Sequence, residues 1–373
     1  MEKTARFLLI LSLTASLFGL TLIFSATRYD PALHSAVFKQ GAALVLGLLL
    51  CLTLPLLDLR ALLCRFWWFL LLGNIGLLLL LIPLGNDDGT GNRSWIALPG
   101  GVFNVQPAEL VKLGFLLLLA LQLDRRRRYG IDRPVSVLLL ALHGLGMAGL
   151  LCAVSGDMGM TAVFLSLWLV MLWSGGLHPL WLLTLLLAGA GGAAALWPRL
   201  PDYVRLRFLV VLDHDLDPLG KGFQQGRSLL ALGSGQLTGQ GWLRGLQTQS
   251  HSASSLPARH TDFLFSAAGE ELGLAGCLLI LALLTAVVLA CIRLARQAGD
   301  AVFRDIALGA AGIFGVQTVL NVGMCLYVFP VVGVTLPFFS YGGSSLVSSF
   351  LTVGVLRALT HKSVSRRHTG DRP

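Results

Sequence analysis

The sequence predicts an all-α polytopic membrane protein of about ten transmembrane helices. One long loop falls between helices 7 and 8, and a re-entrant Pro/Gly-rich segment precedes helix 10. Three observations carry the prediction. Hydrophobic residues make up 55% of the 373 and charged residues 13%, against about 25% charged in a soluble domain. Apolar runs recur along the whole chain at the length of about 20 residues that crosses a bilayer. Lys and Arg gather in alternate connections, as the positive-inside rule requires of short loops.

The spans read approximately as 5–25, 39–57, 62–84, 107–123, 135–153, 158–175, 178–197, 263–291, 305–327 and 343–360. The first follows Lys3 and Arg6 and is too long for a signal-peptide core of about 7–15 residues, so it reads as a retained helix. Lys3 and Arg6, Arg60 and Arg65, Arg125 to Arg128 with Arg133, Arg293, Arg296 and Arg304, and Arg357, Lys362, Arg366 and Arg367 fall on one side. The other side's short loops hold little beyond Arg28, Lys39 and Arg93. Both termini are therefore expected in the cytoplasm, and the 198–261 loop outside it. The whole chain, 1–373, reads as one integral-membrane domain.

A net charge of +9 is absorbed by this topology. Nucleic-acid binding would need basic residues interleaved with exposed aromatics on a folded surface, a pattern the sequence lacks. The Arg125–Arg128 run also invites an anionic-lipid site, but a topology signal is the simpler reading. Six cysteines lie in or beside apolar runs without disulfide-framework or metal spacing. They read as small buried hydrophobes.

Chemistry concentrates where the long loop meets span 8, at Leu256-Pro257-Ala258-Arg259-His260-Thr261-Asp262-Phe263-Leu264-Phe265. Asp262 is placed where water meets lipid. An ionisable group at membrane depth is a functional hypothesis by default, while Thr and Asp also suit the first turn of a helix. Glu270 and Glu271 follow two turns into the span, so that either the helix projects from the membrane or the glutamates face a polar cavity. In the loop, Arg205 and Arg207 precede an acidic patch, and 220–241 is Gly-rich with an apolar stretch that suits short amphipathic helices on the membrane. The Gln- and Ser-rich tract 247–255 reads as flexible.

Three further clusters stand out. Arg93-Ser94-Trp95-Ile96 precedes Gln106-Pro107-Ala108-Glu109-Leu110-Val111-Lys112, in which Pro107 suits a first helical turn and Glu109 and Lys112 share a face. That pair reads either as architecture or as a cavity wall. Asp157 opens span 6 as a cap or as a member of the same cavity. Pro330 to Ser345 breaks any helix, and broken backbone at membrane depth must be buried in protein or line a cavity. Its N–H groups and hydroxyls suit phosphate or sugar oxygens, and its small residues equally suit tight packing.

These stretches together resemble the SEDS family, the shape, elongation, division and sporulation proteins. The resemblance rests on Arg93-Ser94-Trp95-Ile96, Gln106 to Lys112, Gly222-Phe223-Gln224, Ser228 to Gly235, Leu256 to Phe265, Gly269 to Gly273 and Pro330 to Ser345. It covers nearly the whole chain in order. Departures are Ser155-Gly156-Asp157-Met158-Gly159-Met160, where the family has Q-P-D-x-G-T, together with Arg227 and Tyr327.

The resemblance implies a glycosyltransferase that polymerises lipid II, a pyrophosphoryl-polyprenol disaccharide-peptide, into peptidoglycan outside the cytoplasmic membrane. It also implies a class B penicillin-binding protein as transpeptidase partner. Asp262 is the expected catalytic base, taking the proton from the acceptor 4-hydroxyl as that oxygen attacks the donor's anomeric carbon. Candidate substrate-binding residues are Arg93, Trp95, Gln106, Glu109, Lys112, Asp157, Arg205, Arg207, Gln224, Arg259, His260, Thr261, Glu270, Ser340, Tyr341, Ser344 and Ser345. Of these, Arg205, Arg207 and Arg259 are the candidates for the leaving pyrophosphate. A divalent cation, Mg or Mn, bridging Asp262 and pyrophosphate is compatible with this chemistry, though no ligand cluster demands one. The alternatives are a lipid II flippase, with Glu109, Lys112, Asp157 and Glu270 as pathway residues, and a non-catalytic scaffold for the penicillin-binding protein.

Overall fold

The structure is a computed structural model, described for residues 1–28, 30–86, 92–97, 104–217, 219–220, 222–250 and 255–369. The side chains of Lys362, Arg366 and Arg367 and residues 251–254 of the Gln/Ser tract lie outside the described residues. The helices are α1 Glu2–Thr27, α2 Ala36–Thr53, α3 Leu59–Leu79, α4 Leu81–Leu84, α5 Pro107–Tyr129, α6 Pro134–Ser155, α7 Met158–Gly175, α8 Pro179–Leu196, α9 Asp202–Leu212, α10 Phe223–Gly235, α11 Leu264–Gln297, α12 Ala301–Cys325 and α13 Gly343–Thr369. A two-stranded antiparallel ribbon, β1 Ile96–Ala97 and β2 Asn104–Val105, precedes α5.

Among the described residues, nine helices are long and apolar enough to cross a membrane. The tenth predicted span is α5, whose charges set it apart. Its first turns carry Glu109 and Lys112, yet it lies at the centre of the bundle against α3, α6, α7, α12 and α13. There Lys112 Nζ reaches Glu109 Oε2 at 2.6 Å and Gln317 Oε1 at 3.1 Å, and all three residues are buried. A buried ion pair persists only where its remaining polar atoms are also satisfied.

The arginine-bearing turns meet at one end of the bundle. Arg127 makes a bidentate pair with buried Asp305 at 2.6 and 2.9 Å, Arg60 reaches Asp300 at 3.1 Å, and Thr4 donates to Gln297 at 3.2 Å. The long loop and the starts of α5, α7 and α11 lie at the opposite end. Within the loop, α10 packs on α11. Gly235 sits against the Gly269 backbone so closely that a Cβ would come within 1.9 Å of its carbonyl oxygen.

The length of α11 has a simple cause. Gly273, at φ 67 and ψ −164, breaks it into two half-helices. The loop then supplies hydrogen bonds at the break: Leu274 N–H donates to Gln236 O and Ala275 N–H to Leu237 O, while Gln240 N–H and Gly241 N–H donate to Glu270 O and Glu271 O, at 2.9–3.2 Å. Glu270 and Glu271 therefore face the loop. Glu270 accepts from the Gln247 and Thr248 N–H groups, each at 2.7 Å, and from Thr248 Oγ1 at 2.6 Å. Glu271 accepts from Ser25 and Gln249.

Between α12 and α13 the chain runs without a helix, through buried positions such as Val334, Leu336 and Phe339 in its second half. Side chains satisfy its backbone, as broken structure at membrane depth demands. Gln225 Nε2 donates to Met324 O and Phe329 O at 3.0 and 2.8 Å. Gln40 donates to Ser340 O and accepts from Gly342 N–H, both at 3.1 Å.

Candidate active site

A cavity of about 840 Å³ opens where the ribbon, the long loop and the re-entrant segment converge. Its wall includes Lys39, Trp95, Gln106, Asp157, Arg207, Asp217, Gln224, Gln225, Thr261, Asp262, Gly333 and Tyr341. Such a volume lies in the range that holds a sizeable ligand.

Asp262 sits immediately before α11. Its carbonyl accepts from Asn321 Nδ2 at 2.8 Å, and the same amide donates to Val334 O at 2.7 Å. One side chain thereby fixes both the Asp262 backbone and the re-entrant segment facing it. The Asp262 carboxylate has no hydrogen-bond partner among the described residues and is directed into the cavity, where Oδ2 faces Gly333. Burial, reinforced by the negative charge of Asp157, pushes it up to about 6. A carboxylate poised there is ionised near neutrality and is a better proton acceptor than an ordinary one.

Asp157 is both cap and cavity wall. Its Oδ1 accepts from Met160 N–H at 2.9 Å and its Oδ2 from Gln106 Nε2 at 3.0 Å. Burial raises its pKa, against those two hydrogen bonds. Gln106 is held in turn by its own N–H, which donates to Ser344 Oγ at 3.0 Å.

Trp95, Gln106, Asp157, Arg207, Gln224, Thr261, Asp262 and Tyr341 thus come together around one space. The remaining sequence candidates lie elsewhere. Arg259 is buried and donates to Ala26 O, Gln247 O and Ser250 O at 2.6–3.2 Å, which ties the loop to α1. Burial, partly opposed by the charges of Asp30 and Glu270, lowers its pKa. His260 packs beside Tyr341, and burial with the neighbouring Arg259 charge lowers it to about 4.

Arg205 pairs with exposed Asp202. The Arg93 N–H donates to Ser155 O at 2.9 Å, and Glu109, Lys112 and Glu270 are engaged as described. Ser340 donates to Thr261 O, Ser344 to Asn104 O, and Ser345 shares a hydrogen bond with Thr335. These hydroxyls hold the re-entrant segment in place. Among the described residues no three His, Cys, Asp or Glu side chains are grouped as for a metal ion.

Sequence reasoning passed over Lys39, Asp217 and Asn321. Lys39 stands one turn into α2, and the positive-inside count treated it as a minor exception. With Arg207, from α9, it brings a second cation to the cavity. Neither Lys39 nor Arg207 pairs with a carboxylate among the described residues. Asn321 was hidden in an apolar span. A lone amide there is costly without partners, which was the available signal.

The FtsW/RodA/SpoVE family model, described as cell cycle protein, matches residues 5–365. The probable peptidoglycan glycosyltransferase FtsW of Geobacter metallireducens is 32% identical over 372 residues, covering 95% of this chain and 94% of that protein. The peptidoglycan glycosyltransferase MrdB of Escherichia coli is 34% identical over 276 residues, covering 74% and 72%. A chain of a peptidoglycan synthase complex, solved in a study of how polymerization and crosslinking are coordinated, superposes with a TM-score of 0.80 at 32% identity, covering 96% of this chain and 97% of that one. The rod shape determining protein RodA of Thermus thermophilus superposes at 0.69 and 31% identity, covering 95% and 96%. With the long apolar helices among the described residues and the cavity at one end of them, these matches identify the chain as a multi-pass membrane protein of the FtsW/RodA/SpoVE family.

Proposed function

We propose that this protein is a peptidoglycan glycosyltransferase that polymerises lipid II at the external face of the cytoplasmic membrane, with Asp262 as general base. The observation that carries the reading is the Asp262 carboxylate, without a hydrogen-bond partner among the described residues in a cavity of about 840 Å³, on a backbone whose carbonyl Asn321 holds. In this reading Asp262 takes the proton from the acceptor sugar's 4-hydroxyl while that oxygen attacks the anomeric carbon of the donor. The polyprenyl pyrophosphate departs, and the direct displacement inverts the centre. Lys39 and Arg207 are the cations available to the leaving group, and Arg adds bidentate geometry. Gln106, Asp157, Gln224 and Tyr341 remain for the sugars.

The flippase reading rested on Glu109, Lys112, Asp157 and Glu270, and only Asp157 of these lines the cavity. A class B penicillin-binding protein is the proposed partner, supported by the synthase complex to which the fold is similar.

The test is purified protein, with and without that partner, given lipid II and assayed for glycan strands. Asp262→Asn should express and bind the partner normally while losing about 10²–10⁴ in rate. Lys39→Ala and Arg207→Ala should raise KM for lipid II. Full polymerase activity in Asp262→Asn sinks the mechanism. The orientation proposed, termini inside and long loop outside, is checked with a cysteine at Ser252 in a background lacking native cysteines. Labelling by an impermeant thiol reagent only after lysis overturns it.

A further inference from the structure

At the arginine-bearing end of the bundle, remote from Asp262, a second cavity of about 800 Å³ opens between α3, α5 and α6. Its walls are apolar over most of their length, with Trp67, Leu71 and Ile75 on one side and Leu118 and Leu142 on the other. At one end stand Arg125 and Arg126. α3 bends at Phe66, between the lining residues Cys64 and Trp67.

The four consecutive arginines divide into two kinds. Arg127 is committed to Asp305, and Arg128 pairs with Asp124 at 2.8 Å. Among the described residues Arg125 and Arg126 have no carboxylate partner and buried Arg126 Nε has no hydrogen bond, the Arg126 guanidinium lying 5.9 Å from the Tyr129 ring. A topology signal needs only positive charge near the loop, so it does not explain why two arginines line one end of an apolar crevice. A basic pocket between transmembrane helices fits an anionic head group whose chains run along the apolar wall. A soluble anion would leave that wall uncovered, and a polyprenol without a charged head would leave the arginines unpaired.

We propose that this crevice binds an anionic glycerophospholipid of the leaflet that the arginine end faces, its phosphate on Arg125 and Arg126 and its acyl chains between α3 and α6. The site is separate from the polymerisation cavity and independent of how that cavity is read. Gly146 offers a way to close it: it lines the crevice, and a Cβ there meets nothing within 4 Å.

The experiment is native mass spectrometry of the full chain released from bilayers of equal phosphatidylglycerol and phosphatidylcholine. Wild-type protein should retain phosphatidylglycerol about tenfold over phosphatidylcholine, the scale of one charge-assisted hydrogen bond. Arg125→Gln with Arg126→Gln should abolish that preference, and Gly146→Trp, which keeps both arginines, should reduce retention of either lipid. Arg128→Gln, outside the crevice, should leave it unchanged. Equal retention of the two lipids by wild type overturns the proposal, as does an equal loss in Arg128→Gln, which reduces the effect to surface charge. Displacement by millimolar inorganic phosphate overturns it too, since the site would then hold a soluble anion.

Discussion

Asn321 donates at 2.8 Å to the carbonyl of Asp262 and at 2.7 Å to that of Val334, so one amide on α12 joins the proposed base to the re-entrant wall across the cavity. Its oxygen lies 4.0 Å from Cys325 Sγ, whose thiol is also 3.7 Å from the Asp262 carbonyl. These contacts engage the Asp262 backbone, and its carboxylate oxygens have no hydrogen-bond partner among the described residues.

Asn321→Leu keeps the volume and removes both donors. A misplacement of about 1 Å in a reacting group can cost 10² in rate, so glycan synthesis should fall by up to about that factor. KM for lipid II should change little, because Asn321 holds backbone rather than substrate. A variant with wild-type kcat would mean that Asp262 is positioned by something else.

The polymerisation rate should rise with pH through about 6, where Asp262 loses its proton. Asp157 contributes to that elevation through its negative charge, so Asp157→Asn should move the acid limb to lower pH. The sign follows from removing a charge that opposed ionisation. For stability the sense is reversed from that of a salt-bridged carboxylate. A group raised in the folded state weakens folding as pH climbs from its ordinary value to about 6. Asp262→Asn should therefore melt no lower than wild type at neutral pH. An acid limb unmoved by Asp157→Asn would contradict the coupling.

Glu109 and Lys112 are buried together at 2.6 Å with Gln317 as the third member. Breaking such a pair leaves a buried charge, at about 3–5 kcal/mol, whereas removing both partners is far milder. Thermal denaturation in detergent should show Glu109→Gln and Lys112→Met each less stable than the combined variant. A combined variant no better than either single one ends the pairing argument.

Much of this was legible in the chain. Apolar run length locates the long helices through hydropathy, and the arginine bias gathers their basic turns at one end through charge, both of which are local to the sequence. The clustering of Gln106, Asp157 and Asp262 was also within reach, since each stands at a helix start where polar side chains belong. Hydrogen bonds made across the fold were not. Arg259 looks like a phosphate ligand until Ala26, Gln247 and Ser250 take its donors, and Glu270 looks like a cavity residue until Thr248 arrives. Lys39 stayed hidden because one lysine beside a span carries no local signal, only a position in three dimensions.

The Gly273 break also bears on how the chain enters the membrane. A half-helix bearing Glu270 and Glu271 partitions poorly into lipid by itself, since each charge near a helix centre costs about 2.5–3.5 kcal/mol on the insertion scale. Among the described residues its interrupted ladder finds hydrogen bonds with 236–241, and its carboxylates with the 247–249 segment and with Ser25 of α1. The loop is synthesised just before α11, so the expected order is that it folds onto the half-helix before the bundle closes around both. In a glycosylation-mapping assay of membrane insertion, the 264–272 half should stay at the surface when residues 236–249 are replaced by a Gly/Ser linker, while 274–297 inserts regardless.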